Sequence, residues 1–380
     1  MDFFNEKIRK EYHHLDTCYF NTAYFGPSPY RAKQKVSKAL QNELDPSFNA
    51  YQNWFGVSER MRIQIAEILE VSPNNITHST STSDINNIIA NGYKYESGDV
   101  ISAINEDYPS NVLPWMLAEK NYDVTFQLLQ LDGQIKPTGK WLREKLSPKT
   151  KIFCCSHVTF DTGKRMDLID LGKVCRERDI LFIVDTTQAL GGIKITQEEL
   201  SYIDVLSCSS YKWMLGPYGH AFAYFSDKAI ELVGHKTANW ILSPNSKSLN
   251  SLLDYTIETI QGARKYDRGQ SANMLAMACF EAGLELMKEL TLEKIEKHNA
   301  GIRDYFLENF PKNKYKLISP SDYMSNIICL KSQGIDPLEL ERELKFSNVD
   351  VSVRQGNVRL SFHLFNDTDQ VNKLIQSLNF

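Results

Sequence analysis

The chain has 380 residues, of which 42% are hydrophobic and 24% are charged, and its formal net charge is -4 at pH 7. This length favours two domains around a sizeable buried core. The charge gives no basic surface for nucleic acid, and no apolar run has the length of a membrane span or a signal-peptide core, so we expect a cytoplasmic protein that binds neither nucleic acid nor membrane.

The N-terminal part of the chain starts with an arm over residues 1–20, which we expect to pack with a smaller C-terminal domain. A turn-rich segment over 21–29 follows it. Apolar residues spaced three and four apart then predict two helices, over 30–44 and 47–69.

Strand-like runs alternate with helical or turn segments along the middle of the chain. The predicted strands cover 99–104, 123–129, 151–158, 180–185, 204–209 and 220–225. Repeated alternation of strand and helix predicts a mainly parallel sheet with helices on both faces, which is an α/β fold.

A polar stretch over 236–270 interrupts this alternation and is interpreted as a connecting loop. The elements predicted after it are helices over 272–289, 292–309, 336–345 and 367–378, and strands over 323–331, 349–354 and 357–363. This mixture predicts a small α+β domain over 261–380, after a large domain over 21–260.

The seven cysteines give no sign of a disulfide framework. Their number is odd, and Cys154 and Cys155 are adjacent in an apolar run, which is typical of reduced core thiols. No Cys-x-x-Cys or His-x-x-x-His spacing occurs, so the sequence predicts no metal site.

Two successive strand ends carry the residues with the most specific chemistry. Asp185 ends the run over 180–185, and Lys212 follows the run over 205–209. Ligands of open α/β sheets bind at this edge. A carboxylate there can keep a pyridinium nitrogen protonated and a lysine amine can form a Schiff base, which is what a pyridoxal phosphate (PLP) enzyme requires. Separately, each residue is also common without catalytic function.

A hydroxyl-rich segment offers a place for a phosphate. It contains Ser81, Thr82 and Ser83 and precedes a predicted helix over 85–93. Backbone N–H groups at a helix N-terminus bind phosphate, although the same residues also suit an ordinary N-cap.

The order of Asp185, Gln188 and Lys212, with a serine-rich strand before the lysine, resembles the class V aminotransferase family of fold-type I PLP enzymes. This family includes cysteine desulfurases, kynureninase and isopenicillin N epimerase-like proteins. The resemblance extends from about Tyr19 to the C-terminus. It implies a seven-stranded sheet in a three-layer αβα domain, a smaller α+β domain, and a homodimer with the active site at the subunit interface.

The resemblance also implies roles for individual residues. Asp185 would bind the ring nitrogen, Tyr108 would stack on the ring, Gln188 would donate to its phenolic oxygen, and His157 matches a further family position. The phosphate would be bound by Ser81, Thr82, Ser83, Ser209 and Tyr211, with Gln270 and Ser271 reaching it from the second subunit. The substrate α-carboxylate would be bound by Arg359, with Asn21 as a further contact.

Each of these roles has an ordinary structural alternative. Tyr108 could be a turn aromatic, His157 a satisfied structural histidine, and Arg359 part of a surface salt bridge. In favour of a site, the alternation around Arg359 places Ser361 and His363 on the same strand face, and this polar face could border a cleft.

Two departures from the family pattern bear on the reaction. Phe160 occupies a position where many relatives have a small polar residue, which makes the pocket more apolar. The stretch over 353–358 corresponds to the desulfurase loop with a nucleophilic cysteine, but it is short and contains no cysteine. Desulfuration through a persulfide is therefore not expected.

We expect an aminotransferase-type PLP enzyme in which the freed Lys212 amine moves the α-proton of an amino acid. A PLP-dependent lyase and an epimerase are the alternatives within this chemistry. A nucleotide-binding α/β protein and a catalytically silent scaffold on the same fold are the alternatives from other classes.

Overall fold

The computed structural model describes residues 3–45, 50–131, 137–268, 273–322 and 324–379. The helices are α1 Phe3–Tyr12, α2 Tyr30–Leu44, α3 Ala50–Leu69, α4 Thr82–Gly92, α5 Leu113–Asn121, α6 Gly139–Lys145, α7 Leu168–Glu177, α8 Gln197–Tyr202, α9 Asp227–Leu232, α10 Met274–Leu290, α11 Leu292–Asn309, α12 Pro337–Phe346 and α13 Thr368–Ser377. The strands are β1 Cys18–Tyr19, β2 Ile76–Ser79, β3 Asp99–Ile104, β4 Val124–Leu129, β5 Thr150–Ser156, β6 Leu181–Asp185, β7 Val205–Ser209, β8 Ala221–Phe225, β9 Tyr315–Leu317, β10 Ile327–Ser332, β11 Val349–Asp350, β12 Ser352–Arg354 and β13 Asn357–Ser361.

The large sheet has, within the described residues, seven strands in the order β2-β8-β7-β6-β5-β3-β4. Strands β4, β3, β5, β6 and β7 are parallel to one another, whereas β8 runs antiparallel to both of its neighbours. The inner strands of the large sheet are buried on both faces, which explains their almost continuous apolar sequences. The predicted α/β fold with a seven-stranded, mainly parallel sheet is confirmed.

Helices cover both faces of this sheet. Successive side chains of a strand point to opposite faces, so each face has its own apolar side chains for helices to pack on. Phe153 and Phe182 stack with their ring centroids 5.7 Å apart and join the core beneath α3, α7 and α10. Cys154 and Ile183, one position further along, belong to the opposite core, beneath α4 and α5. The result is the three-layer arrangement of helices, sheet and helices.

The smaller sheet is antiparallel throughout, with the order β12-β13-β10-β9. Helices α11, α12 and α13 pack on it around a separate apolar core. Strand β1 pairs in parallel with β11, and Asn21 forms a bridge with Ser361, so the chain just before the large domain is attached to the small one.

Helix α10 differs from the sequence expectation in where it packs. We expected it to be part of the small domain, but it lies against α2 and α3, and its Met277, Phe280 and Leu284 join the core of the large sheet. We therefore propose a domain boundary near Thr291, between α10 and α11. In the described ranges, none of the helices has both the length and the hydropathy that crossing a bilayer requires.

Strand β2 was not predicted, because Thr77, His78 and Ser79 are polar although all three are buried. A buried ion pair stabilises it. Arg62 Nη2 lies 2.6 Å from Asp267 Oδ2, and Asp267 Oδ1 accepts hydrogen bonds from Thr77 Oγ1 at 2.8 Å and from the His78 N–H at 2.9 Å. Arg62 also donates to the carbonyl of Ile76.

Replacing Arg62 by methionine should lower the free energy of unfolding by about 3–5 kcal/mol, because the Asp267 carboxylate would stay buried without its cation. Chemical denaturation followed by circular dichroism measures this loss. Arg143→Met, which removes the exposed pair with Glu177, is the matched control and should leave the midpoint essentially unchanged. Equal effects of the two substitutions would contradict the assigned role of Arg62.

Candidate active site

A cavity of about 200 Å³ lies at the carboxyl ends of β5, β6 and β7, in front of the N-terminus of α4. This is the position at which open α/β sheets bind ligands. The residues that line it are Ser81, Thr82, Ser83, Tyr108, Ser110, Ser156, Phe160, Asp185, Thr187, Gln188, Ser209, Tyr211 and Lys212.

Lys212 and Asp185 are both buried at this edge, 6% and 5% exposed. Burial is the main reason that the pKa of Lys212 is lowered to about 7, the Arg359 charge acts in the same direction, and Asp185 opposes both. Burial also raises the pKa of Asp185, although Thr187 donates to its carboxylate. Lys212 therefore has an appreciable neutral amine fraction near neutral pH.

The N-terminal turn fixes the backbone of Lys212. The Gly26 N–H donates to the carbonyl of Tyr211 at 2.9 Å, and a Cβ atom on Gly26 would lie 1.9 Å from the carbonyl oxygen of Lys212. Only a residue without a side chain allows this approach. The Lys212 Nζ lies 5.6 Å from the ring centroid of Tyr108 and 5.4 Å from that of Tyr211.

The opposite end of the cavity is rich in hydroxyl groups. Ser81 caps α4 by accepting a hydrogen bond from the Asp84 N–H, so the ordinary N-cap is present. Thr82 Oγ1 lies 3.3 Å from Ser209 Oγ, across the cavity edge. Because the first N–H groups of a helix have no partner within the helix, this end can bind an anion as well.

Tyr108 is positioned by a carboxylate that the sequence did not single out. Asp107 accepts hydrogen bonds from the Tyr108 N–H at 2.6 Å, the Ser156 N–H at 2.7 Å and Ser156 Oγ at 2.6 Å. Tyr108 is 40% exposed, and its ring meets that of Phe160 edge to face at 5.3 Å. The Tyr108 ring thus lies at the mouth of the cavity.

Asn111 was also missed, although it connects the carboxylates of Asp107 and Asp185. Its Nδ2 lies 3.2 Å from Asp107 Oδ1 and 3.4 Å from Asp185 Oδ2, and its Oδ1 accepts from Asn86 of α4. The only sequence signal for it was its place in the turn that carries Tyr108. Ser110, in the same turn, and Ser156 and Thr187, at the ends of β5 and β6, also line the cavity and were not singled out from the sequence.

Gln188 lines the cavity, but its amide is partly engaged elsewhere. Its Nε2 donates to the carbonyl of Ala23 at 3.0 Å, and its Oε1 accepts from Trp213 Nε1 at 3.0 Å. The NH₂ group has a second hydrogen that can still be donated to a ligand.

His157 is not among the residues that line the cavity. Its neighbour Ser156 is, and since successive side chains of an extended segment point to opposite sides, His157 faces away. It is fully buried, accepts from Arg165 Nε at 3.3 Å, and has its pKa lowered well below the usual value by burial. The sequence expectation of a cofactor contact is corrected to a structural histidine.

Asn21 also lies outside the lining. It is buried, and its Nδ2 donates to Asp350 Oδ1 at 2.9 Å, beside the bridge to Ser361. Its predicted substrate contact has no support in this placement. Gln270 and Ser271 lie outside the described residues, so their contact with a second subunit, and the homodimer itself, stay predictions.

Arg359 is placed next to the cavity and not in a surface salt bridge. It is 2% exposed, its Nη1 donates to the carbonyl of Phe160 at 2.5 Å, and its Nε donates to Ser352 Oγ at 3.2 Å. Its Nη2 is buried and has no hydrogen-bond partner among the described residues. Burial lowers its pKa to about 9, so it is still a cation at neutral pH. A buried guanidinium with an unused donor is suited to bind a carboxylate.

Comparison with known proteins shows to which family the chain belongs. The family model described as aminotransferase class-V matches residues 48–374. The chain belongs to the class V aminotransferase family. A probable cysteine desulfurase of Methanothermobacter thermautotrophicus is 22% identical, with 98% of this chain and 97% of that protein covered.

Solved structures agree on the fold. A mutant of C-DES with glycine covalently linked to its PLP cofactor has a TM-score of 0.90 at 18% identity, and 98% of this chain and 99% of that chain are covered. The complex of the cystine C-S lyase C-DES with its reaction product cysteine persulfide has a TM-score of 0.88 at 18% identity, with 97% and 99% covered.

The enzymes of the class V family depend on PLP, and the described residues suit this cofactor. The Asp185 carboxylate has, in the described chain, no lysine or arginine nitrogen within 4.0 Å, so a protonated ring nitrogen would supply the missing cation. Lys212 offers the amine, and the hydroxyl groups at the α4 N-terminus suit the phosphate. Across the described ranges, no three His, Cys, Asp or Glu side chains come together as a metal site would require.

Gly26→Ala should displace the Lys212 backbone, because the new methyl group would overlap its carbonyl oxygen. We expect a loss of about 1–3 kcal/mol in the free energy of unfolding and less PLP retained per chain, read from the visible absorbance. Gly301→Ala is the control, since a Cβ there meets nothing within 4 Å and lies in helix α11, where alanine should stabilise by about 0.5–1 kcal/mol. A Gly26→Ala protein with full stability and full cofactor content would refute the close packing.

Proposed function

We propose that this chain is a PLP-dependent lyase that removes a sulfur-bearing group from the β-carbon of an amino acid and releases it into solution. The observation that carries this proposal is the combination of a buried Lys212 amine with the lack of any thiol among the described residues that line the cavity. The relatives named as cysteine desulfurase and cystine C-S lyase support a lyase over the transamination that we expected from the sequence.

None of the seven cysteines, all of which lie in the described ranges, lines the cavity. Six are buried, and burial raises the pKa of every one of them. A thiolate is the form that takes up sulfur, so these thiols are poor nucleophiles. The turn between β12 and β13 consists of Gln355 and Gly356 and contains no cysteine either. This supports release of the sulfur group as a small molecule.

Three residues at the cavity have separate roles in the proposed reaction. PLP, when bound, withdraws electrons from the substrate and so makes its α-proton acidic. Asp185 holds the proton on the ring nitrogen, and Arg359 binds the α-carboxylate through its unused Nη2 donor. Lys212 Nζ, with its pKa lowered to about 7, accepts the α-proton.

The proposed elimination conserves atoms and electrons. The α-proton moves to Lys212 Nζ, the bond from the β-carbon to sulfur breaks, and the sulfur leaves with the bonding electrons and takes up a proton. The remaining unsaturated amine adds water and yields pyruvate and ammonia. No electron acceptor and no protein thiol is required.

Product analysis tests this reaction class. The purified holoenzyme with L-cystine or an S-alkyl-L-cysteine should release pyruvate and ammonia in equal amounts without an added keto acid. Lys212→Ala should lose this activity, whereas Cys279→Ser, which removes the only thiol of the seven that is not fully buried, should keep it. Keto acid formation without ammonia would show a transaminase, and alanine with sulfur bound to the protein would show a desulfurase; either would refute the lyase.

The pH dependence of PLP attachment tests the lowered pKa of Lys212. Only the neutral amine attacks the aldehyde, so a pKa of about 7 predicts that the attachment rate to cofactor-free protein rises about tenfold between pH 6 and pH 8 and then levels off. A lysine with its ordinary pKa would instead gain about tenfold per pH unit up to about pH 10. Stopped-flow absorbance measures the rate.

Arg359→Leu is the matched variant for this measurement. Removing a cation that lowers the pKa of Lys212 should move the profile to higher pH. An unchanged profile in the variant, or a wild-type rate that keeps rising steeply above pH 8, would contradict the assigned electrostatics.

A further inference from the structure

Asp84 brings a negative charge to the helix end that suits the cofactor phosphate. It is the third residue of α4, two residues after Thr82, so it lies about 3 Å further along the helix axis. Thr82 and Ser83 line the cavity. An acid in the first turn ordinarily stabilises a helix through its dipole, but the same dipole attracts the phosphate, so the two anions compete for it.

The Asp84 carboxylate also shapes the loop between β2 and α4. Its Oδ2 accepts hydrogen bonds from Ser79 Oγ at 2.6 Å and from Thr80 Oγ1 at 3.3 Å, while the Asp84 N–H donates to Ser81 Oγ at 3.1 Å. These contacts join the end of β2 to the first turn of α4, on both sides of the residues that reach the cavity. The loop therefore depends on an acid that repels a phosphate at the same helix end.

Arg268 supplies the compensating cation. Its Nε lies 2.7 Å from Asp84 Oδ2, and its Nη2 donates to Asp84 Oδ1, so the pairing is bidentate. The two side chains are partly buried, 29% and 17% exposed. Burial raises the pKa of Asp84, but the hydrogen bonds from Arg268 and Ser79 outweigh it and leave the pKa below its ordinary value. The acid is therefore ionised at neutral pH and fully paired with the guanidinium.

The segment that carries Arg268 is itself fixed. The preceding residue, Asp267, forms the buried ion pair with Arg62 and accepts hydrogen bonds from Thr77 and from the His78 N–H of β2. Two successive residues thus bind the two elements that flank the loop, β2 through Asp267 and α4 through Arg268. The guanidinium of Arg268 is held beside the carboxylate of α4 by protein contacts alone.

We propose that Arg268 is a positioning residue of the cofactor site, whose charge neutralises Asp84 so that the N-terminus of α4 can bind the PLP phosphate. Arg268 is not among the residues that line the cavity and acts through Asp84. This role goes beyond the proposed lyase, because it concerns cofactor binding and is the same for any reaction that the cofactor supports. Without the guanidinium, the first turn of α4 presents a carboxylate to a phosphate that carries nearly two negative charges at neutral pH.

Comparison of PLP with pyridoxal, which lacks the phosphate, isolates this charge. In the cofactor-free full-length protein at low salt, Arg268→Gln should raise the Kd of PLP about 10-fold, because the unpaired carboxylate repels the phosphate. The Kd of pyridoxal should change less than about 2-fold. Titration followed by visible absorbance measures both values. The effect on PLP should shrink as the ionic strength rises, since salt screens partly exposed charges.

A second substitution separates charge compensation from a structural role. Asp84→Asn removes the charge but keeps an oxygen that can accept from Ser79, so the double variant Asp84→Asn/Arg268→Gln should return the Kd of PLP to within about 3-fold of the wild-type value. Arg268→Lys keeps the charge and should do the same. The control is Arg143→Gln, which breaks an exposed ion pair with Glu177 outside the cavity lining and should leave both Kd values unchanged.

An equal loss of affinity for PLP and pyridoxal in Arg268→Gln would overturn the proposed role, and so would a double variant that binds PLP no better than Arg268→Gln. Equal Kd values of PLP and pyridoxal in the wild type would overturn it as well, because the phosphate would then add nothing to binding. Product analysis is independent of these titrations. If no cysteine derivative is cleaved while the affinities follow the expected order, the lyase is refuted and the role of Arg268 is retained.

Discussion

The structure depends on keeping the Lys212 amine out of water at the end of a parallel strand. Burying an isolated cation is costly, so burial lowers the pKa of the Lys212 amine relative to that of a lysine in water. Asp185, at the end of the neighbouring strand, limits this effect without removing it. The parallel pairing of β6 and β7 brings both groups to one edge, and the packing of Gly26 on the loop keeps the amine there.

The parallel strands were well predicted because a strand that is buried on both faces has an almost continuous apolar sequence. The predicted strand over 99–104 has the bounds of β3, and the predicted helix over 292–309 has those of α11. Strand β2 lacks this signal because its buried residues Thr77, His78 and Ser79 are polar. Thr77 Oγ1 and the His78 N–H donate to Asp267, which is distant in the sequence. The packing of α10 on the large domain likewise depends on contacts that no local pattern records.

The same distinction applies to the site. Asp185, Lys212 and Arg359 were predicted because their residue types and order carry the resemblance to the family. Asn111 was not, since an asparagine in a turn has many uses and its contact with Asp185 exists only once the loop packs on β6. His157 shows the opposite case. It was assigned to the cofactor site because it matches a family position, but the alternation of side chains along the strand directs it away from the cavity.

The proposed function connects substrate binding with proton transfer. In the free protein, the charges of Arg359 and Arg354 both lower the pKa of Lys212. A substrate whose α-carboxylate binds Arg359 would compensate that charge, so the remaining influence of Asp185 would raise the pKa of the amine. Lys212 would then be a stronger base with substrate bound than when the site holds only the cofactor. By this electrostatic coupling, the charge proposed to bind the substrate would also strengthen the group proposed to take its α-proton.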